Sequence, residues 1–242
     1  MSQYQLLNNI KHKDLRVLTR RGVELGDGIS GCAVYPTEFN ELQKYYPILF
    51  QQQDNGDWLL MTLFGFEANE NLFLEKQTWR VPYIPAVVER EPFLIGMQQR
   101  EGQEAEPVVH VDLSSPRVSI DGSGEPVFLE FGGNSPFLNR ITDVLTVVHE
   151  GVAEAERMMK AFTSLGLIES ISLEIEFANK QFYKTNRFAT VSKEKLLALS
   201  DEQIGQLHRN GLLRYAYLIV GSLTNIQQLV NYKNKKIQQD QV

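Results

Sequence analysis

The 242-residue sequence predicts an α+β fold, with a mixed or mainly antiparallel sheet in its N-terminal half packed against a helical C-terminal half. Three observations carry this. Up to residue 133 the apolar residues fall in short runs broken by Pro, Gly, Asn and Asp, the punctuation of strands and turns. From residue 134 the apolar spacing switches to three and four, the period of an amphipathic helix. Later, Ile171, Leu173, Ile175 and Phe177 alternate with Ser172, Glu174 and Glu176, a return to the strand period. No linker separates the halves, so residues 1–242 read as one domain. Its parts are an N-terminal arm (1–30), a mainly β segment (31–133), a mainly helical segment (134–232) containing a strand pair (171–188), and a polar tail (233–242).

The arm is polar with scattered apolar positions and admits one or two short strands. Residues 37–45 suit a short helix with Thr37 as N-cap and Glu41 in its first turn. Ile48–Gln52 and Trp58–Phe64 read as strands of a hairpin, because the Asn55-Gly56 pair between them suits a tight turn. Leu72–Phe73, Val87–Val88, Phe93–Met97 and Val108–Leu113 follow as short strands, with a solvated loop at 101–107. Residues 114–133 hold turns and a short strand at Val127–Phe131. The sheet is expected to draw largely on residues 30–131, joined or extended by the pair 171–188.

A long helix follows, with Phe137, Ile141, Val144, Val148, Val152, Ala155, Met159 and Phe162 on its apolar face. Asn134 or Ser135 caps its start and Gly166 its end, while Gly151 weakens its middle and admits a kink or a split. Ser192 caps a helix at 193–199. Ser200 with Gln203 forms a capping box for 201–210, which Gly211 stops. Residues 212–232 form the last helix. Its apolar run is interrupted by Arg214, Gly221 and Ser222 and falls short of the roughly 18 residues that a membrane span needs.

A net charge of -6 with no basic run longer than that at Lys233–Lys236 disfavours nucleic acid, whose phosphates require a clustered cationic face. The single cysteine, Cys32, excludes an internal disulfide and a multi-thiolate metal site and fits a reducing compartment. Its neighbours include no cation to activate it, so it reads as inert. The N-terminus lacks the basic and apolar blocks of a signal peptide. A cytoplasmic protein without a membrane span is therefore expected.

Aromatics and prolines crowd the stretch 45–93. Phe73, Trp79, Tyr83 and Phe93 predict that it is the structural centre, with Trp79 in the core. Asn71, Tyr83 and Arg90 lie among these aromatics, a composition that serves either a small-molecule pocket or a β core. Asp112 at a strand end is costly to bury unpaired. It reads as a structural ion pair with Arg90, Arg117 or His110, or as a ligand contact, and His208 is a further contributor to a site. His110 and Asp112 lie on one strand face, as two ligands of a two-histidine, one-carboxylate metal centre would. His149 or His208 would supply the third, but the tripeptide reads more simply as a polar pair. No nucleophile elbow occurs, and the glycines of 121–125 lack a phosphate loop's lysine.

The ordered pieces Leu15-Arg16, Glu38-Phe39, Tyr46-Pro47-Ile48, Asn71-Leu72-Phe73, Trp79 and Pro82-Tyr83-Ile84-Pro85-Ala86 resemble the bacterial SapC-like family. Arg90 with Pro92-Phe93, Val111-Asp112, and Leu207–Leu212 with Tyr215-Ala216 extend the resemblance along nearly the whole chain. It implies an association with bacterial surface arrays and with loci encoding flavin-dependent halogenases, cupin-like proteins and outer-membrane receptors. It brings no catalytic residues and no cofactor. The expected function is that of a non-catalytic binding or accessory protein acting with a partner enzyme or receptor, or with a small-molecule ligand. The alternative is an enzyme with a metal held through His110 and Asp112.

Overall fold

The computed structural model describes residues 3–99 and 106–240. In chain order its strands are β1 (Tyr4–Leu6), β2 (Arg16–Val17), β3 (Gly31–Ala33), β4 (Ile48–Gln52), β5 (Trp58–Leu63) and β6 (Leu74–Glu75). They continue as β7 (Thr78–Trp79), β8 (Phe93–Gln98), β9 (Glu106–Asp112), β10 (Glu125–Pro126), β11 (Ile168–Glu176) and β12 (Phe182–Val191). The helices are α1 (Phe39–Leu42), α2 (Ala86–Glu89), α3 (Pro136–Ser164), α4 (Lys193–Leu197), α5 (Asp201–Arg209), α6 (Leu213–Ser222) and α7 (Asn225–Gln239). The fold is α+β, and every strand pairing among the described residues is antiparallel. No helix of the described residues is long and apolar enough to cross a membrane.

The chain forms two compact units. The first gathers Met1–Gly28, Leu74–Arg80 and Ala86–His149; the second gathers Ile29–Phe73, Val81–Pro85 and Glu150–Val242. In the first, β9 lies between β1 and β8, and β2 pairs with β10. Phe93, Val111 and Val127 pack with Phe137, Leu138, Ile141 and Leu145 from the first half of α3. Ser135 Oγ accepts from the Leu138 amide at 3.1 Å and so caps that helix.

In the second unit the strand order is β11-β12-β4-β5-β3. The β4–β5 hairpin turns at Gly56, whose φ of 87° suits glycine. The pair β11–β12 joins the sheet through Phe188 opposite Gln51 and Ala189 opposite Phe50. Tyr46, fully buried, meets Phe73 at 4.6 Å and Phe64 at 5.9 Å between ring centroids. Ser222, also buried, accepts from the Ile48 amide at 2.9 Å and so ties α6 to β4.

Several sequence expectations are corrected. Val87–Val88 belong to helix α2, and Leu72–Phe73 precede a small β6–β7 ribbon. That ribbon turns through Lys76 and Gln77 at φ of 48° and 66°. Thr37 lies inside a 3-10 turn, Pro36–Glu38, so it does not cap α1. The strand expected at Val127–Phe131 is replaced by β10 and a bridge between Phe128 and Asn134, because the chain turns back at Gly132, with φ of 84°. The last helix is two. It breaks at Leu223-Thr224, where the Asn225 side chain turns inward to donate to the carbonyls of Gln43 (2.9 Å) and Tyr46 (3.0 Å). The tail is helical to Gln239, since buried Lys233 is held by Glu67 at 2.5 Å and Glu70 at 2.7 Å. Of the expected loop 101–107, residues 101–105 lie outside the described residues. Trp79 is only half-buried, on the β6–β7 ribbon; the fully buried aromatics are Tyr46, Phe39, Phe50, Phe64, Phe73, Phe93 and Phe162.

Helix α3 runs unbroken through Gly151. The glycine is required by proximity, since a Cβ there would lie 2.5 Å from Tyr35 Cβ and 2.7 Å from Thr37 Oγ1. Alanine in a helix interior usually gains about 1 kcal/mol over glycine. Gly151→Ala is expected to lower the urea midpoint instead; a midpoint that rises would show that Tyr35 yields easily. Phe73→Ala is expected to cost about 3–5 kcal/mol, and half-buried Trp79→Ala clearly less. Equal losses in the same denaturation series would return Trp79 to the core.

Candidate functional site

The second half of α3 divides its apolar side chains between two faces. Met158 and Phe162 are fully buried. Val152, Ala155, Met159 and Thr163 fall three or four residues apart on an adjacent stripe and face a groove. Opposite them stand Trp58, Leu59 and Leu60 of β5, together with Val34 and Tyr35 after β3. The groove measures about 870 Å³, is open to solvent and lies wholly within the second unit. Asp57, Glu156 and Lys160 place charge around otherwise mainly apolar walls. Leu59 at 40% and Val152 at 44% exposure leave apolar surface uncovered. Volumes of about 300–1,000 Å³ and aromatic, apolar linings are usual for ligand pockets.

One helical turn away the chain holds a buried carboxylate. Glu38 is 3% exposed and accepts from the Tyr83 hydroxyl at 2.9 Å and the Tyr35 amide at 3.2 Å. The Tyr83 carbonyl in turn accepts from the Tyr46 hydroxyl at 2.6 Å. Burial, reinforced by the Glu38 charge, pushes the Tyr83 phenol well above its ordinary value. Burial, with Glu38 adding to it, likewise pushes the Cys32 thiol up, which disfavours the nucleophilic thiolate.

The sequence-derived candidates fall into both units. Asn71, Tyr83 and His208 belong to the second. Asn71 Oδ1 accepts from the Phe73 amide at 3.0 Å, a local turn contact. Tyr83 is committed to Glu38, and His208 is exposed in the last turn of α5. Arg90 and Asp112 belong to the first unit. The Arg90 guanidinium donates to the Phe93 carbonyl at 3.1 Å and lies 3.9 Å from Glu91, while its Nε is buried without a partner. Asp112 Oδ1 accepts from the amide (2.9 Å) and hydroxyl (2.6 Å) of Ser114 in its own turn and from the distant Gln3 amide (2.8 Å) just before β1. Arg117, another expected partner of Asp112, pairs with Asp27.

His110 sits on β9 between Leu6 and Leu94. A Cβ on Gly96 would come within 2.7 Å of its Nδ1, which is buried and unpartnered. No cluster of three or more His, Cys, Asp or Glu side chains suited to a metal ion occurs among the described residues. The groove was not foreseen in the sequence. Its one signal was an apolar stripe on α3 wider than a single packed face requires, with Val152 and Met159 as the surplus.

The Tyr83 contact has a pH signature. A phenol held protonated by the fold contributes fully below about pH 10, where unfolded tyrosine titrates. That contribution is lost as pH rises above this value towards the higher folded one. The urea midpoint of the unsubstituted protein should therefore fall more steeply than that of Tyr83→Phe between about pH 9.5 and 11.5. Parallel curves would mean that the phenol keeps its ordinary acidity.

A family model, SapC, matches residues 7–229 of the 242. No curated protein and no solved structure matches the chain. With the match running from the arm before β2 into α7, the chain belongs to the SapC family.

Proposed function

We propose that this SapC-family chain is a non-catalytic binding protein that acts in the cytoplasm as an accessory to a partner enzyme or receptor, engaging an apolar group of its ligand or partner in the groove between α3 and β5. The observation that carries this reading is the groove itself, about 870 Å³ of mainly apolar wall that the fold leaves unfilled. Leaving such surface in water costs about 25 cal/mol per Å², so a site that can cover it gains affinity without any reacting group. The single thiol, Cys32, has its thiolate disfavoured by burial, with Glu38 adding to it. A single cysteine in the chain accords with a reducing compartment.

Nile red, a neutral apolar dye, tests the groove directly. The purified protein is expected to bind it with quenching of tryptophan fluorescence, since Trp58 lines the wall. Met159→Lys should weaken that binding by at least about tenfold, or 1.4 kcal/mol. Met159 is only half-buried, so stability should change by no more than about 0.5–1 kcal/mol. Dye affinity unchanged by Met159→Lys, in a protein that still unfolds normally, would remove the groove from the function.

A further inference from the structure

The sheet of the second unit ends on one side at β11, whose inner edge pairs with β12. Nothing is hydrogen-bonded along its outer edge among the described residues. An edge strand presents a row of backbone N–H and C=O groups that can template another strand. Proteins usually protect such edges with Pro, Lys, bulges or short strands. Ile168–Glu176 has nine residues and contains no Pro, Lys, Arg or Gly. The register does shift between Ile171 and Leu173, but the extra residue lies on β12. Ile171 opposes Phe188 and Leu173 opposes Thr185, so Ser172 faces both Asn186 and Arg187. The inner strand absorbs the bulge and the outer edge keeps its regular pleat.

We infer that β11 is an interaction edge to which an extended segment of another protein, alternating apolar and basic side chains, adds as a further strand. The two faces of β11 specify that chemistry. Ile171, Leu173 and Ile175 share one face and are half-buried, so an added strand with apolar residues at alternate positions would cover what remains exposed. Glu174 and Glu176 share the other face. Glu174 pairs with Lys184 at 2.5 Å and Glu176 with Lys180 at 2.9 Å, yet their side chains remain 59% and 45% exposed and open to a further cation. Glu169 is a third exposed carboxylate on the strand. A second copy of β11 would set one run of carboxylates against another with no cation on either strand. Charge therefore selects a basic partner over self-pairing. The edge shares no residue with the groove, and either site can fail without the other.

The test uses the full chain and labelled nine-residue peptides, with fluorescence anisotropy and amide hydrogen exchange as readouts. A peptide alternating lysine and valine is expected to bind and to slow exchange within residues 168–176. A glutamate–valine peptide should bind at least about tenfold more weakly. Glu174 and Glu176 are exposed, so the double variant E174K/E176K should fold and should reverse this preference. N-methylation of alternate amides in the lysine–valine peptide should abolish binding, because strand addition requires those donors. Absence of binding at about 1 mM peptide, equal binding of both peptides, or undiminished binding of the N-methylated peptide would each overturn the inference. So would self-association of the chain that protects residues 168–176 without any peptide, since it would make a second copy the occupant.

Discussion

Buried carboxylates set the long-range geometry of both units. Asp27, Glu38 and Glu70 are 1%, 3% and 6% exposed, and each reaches a partner distant in sequence. Asp27 holds Arg117 and Arg21, Glu38 takes the Tyr83 hydroxyl, and Glu70 holds Lys233. A charge taken from water costs several kcal/mol unless paired and hydrogen-bonded. The chain therefore has few ways of folding that leave these groups satisfied. In the first unit Arg21 also meets Glu89, which in turn meets Arg140 of α3. Burial lowers the Arg21 pKa even so, with Glu89 and Asp27 opposing the shift. Around Lys233 burial works against the cation, but Glu67 and Glu70 outweigh it and hold its pKa up.

The parts of the fold legible in the sequence are those governed by local chemistry. The Asn55-Gly56 hairpin, the Ser200–Gln203 capping box, the Ser192 cap and the glycine stop at Gly211 all depend on residues a few positions apart. The alternation in β11 was equally plain, because one face is polar. What was lost depended on distant partners. Residues 233–239 look like part of a polar tail until Lys233 meets Glu67 and Glu70. Residues 212–232 look like one helix until Asn225 is required by two carbonyls of the 43–46 segment. Gly151 looked like a helix breaker, whereas it marks a close approach to Tyr35.

The candidate site was less legible than the fold. Asn71, Tyr83 and Arg90 were chosen for polarity amid aromatics, yet their described contacts include local backbone or carboxylate partners. A polar residue in such a setting serves the interior as readily as a ligand. The groove is built from residues with no individual signature, Val152, Met159, Trp58 and Leu59. Only their juxtaposition across nearly a hundred positions of sequence creates it, and spacing within one segment does not reveal that.

The interleaving of the two units bears on the order in which they can form. Synthesis delivers the chain from its N-terminus, and domains generally fold as units as they emerge. The first unit is fully delivered once His149 has left the ribosome. By then β4 and β5 have long been available, but the strand that flanks β4 begins only at Phe182. Until β12 arrives, Phe50 and Gln51 of β4 lack the strand that pairs with them. An unpaired strand edge is open to wrong pairing, so this nascent sheet is a stage at which a chaperone could act.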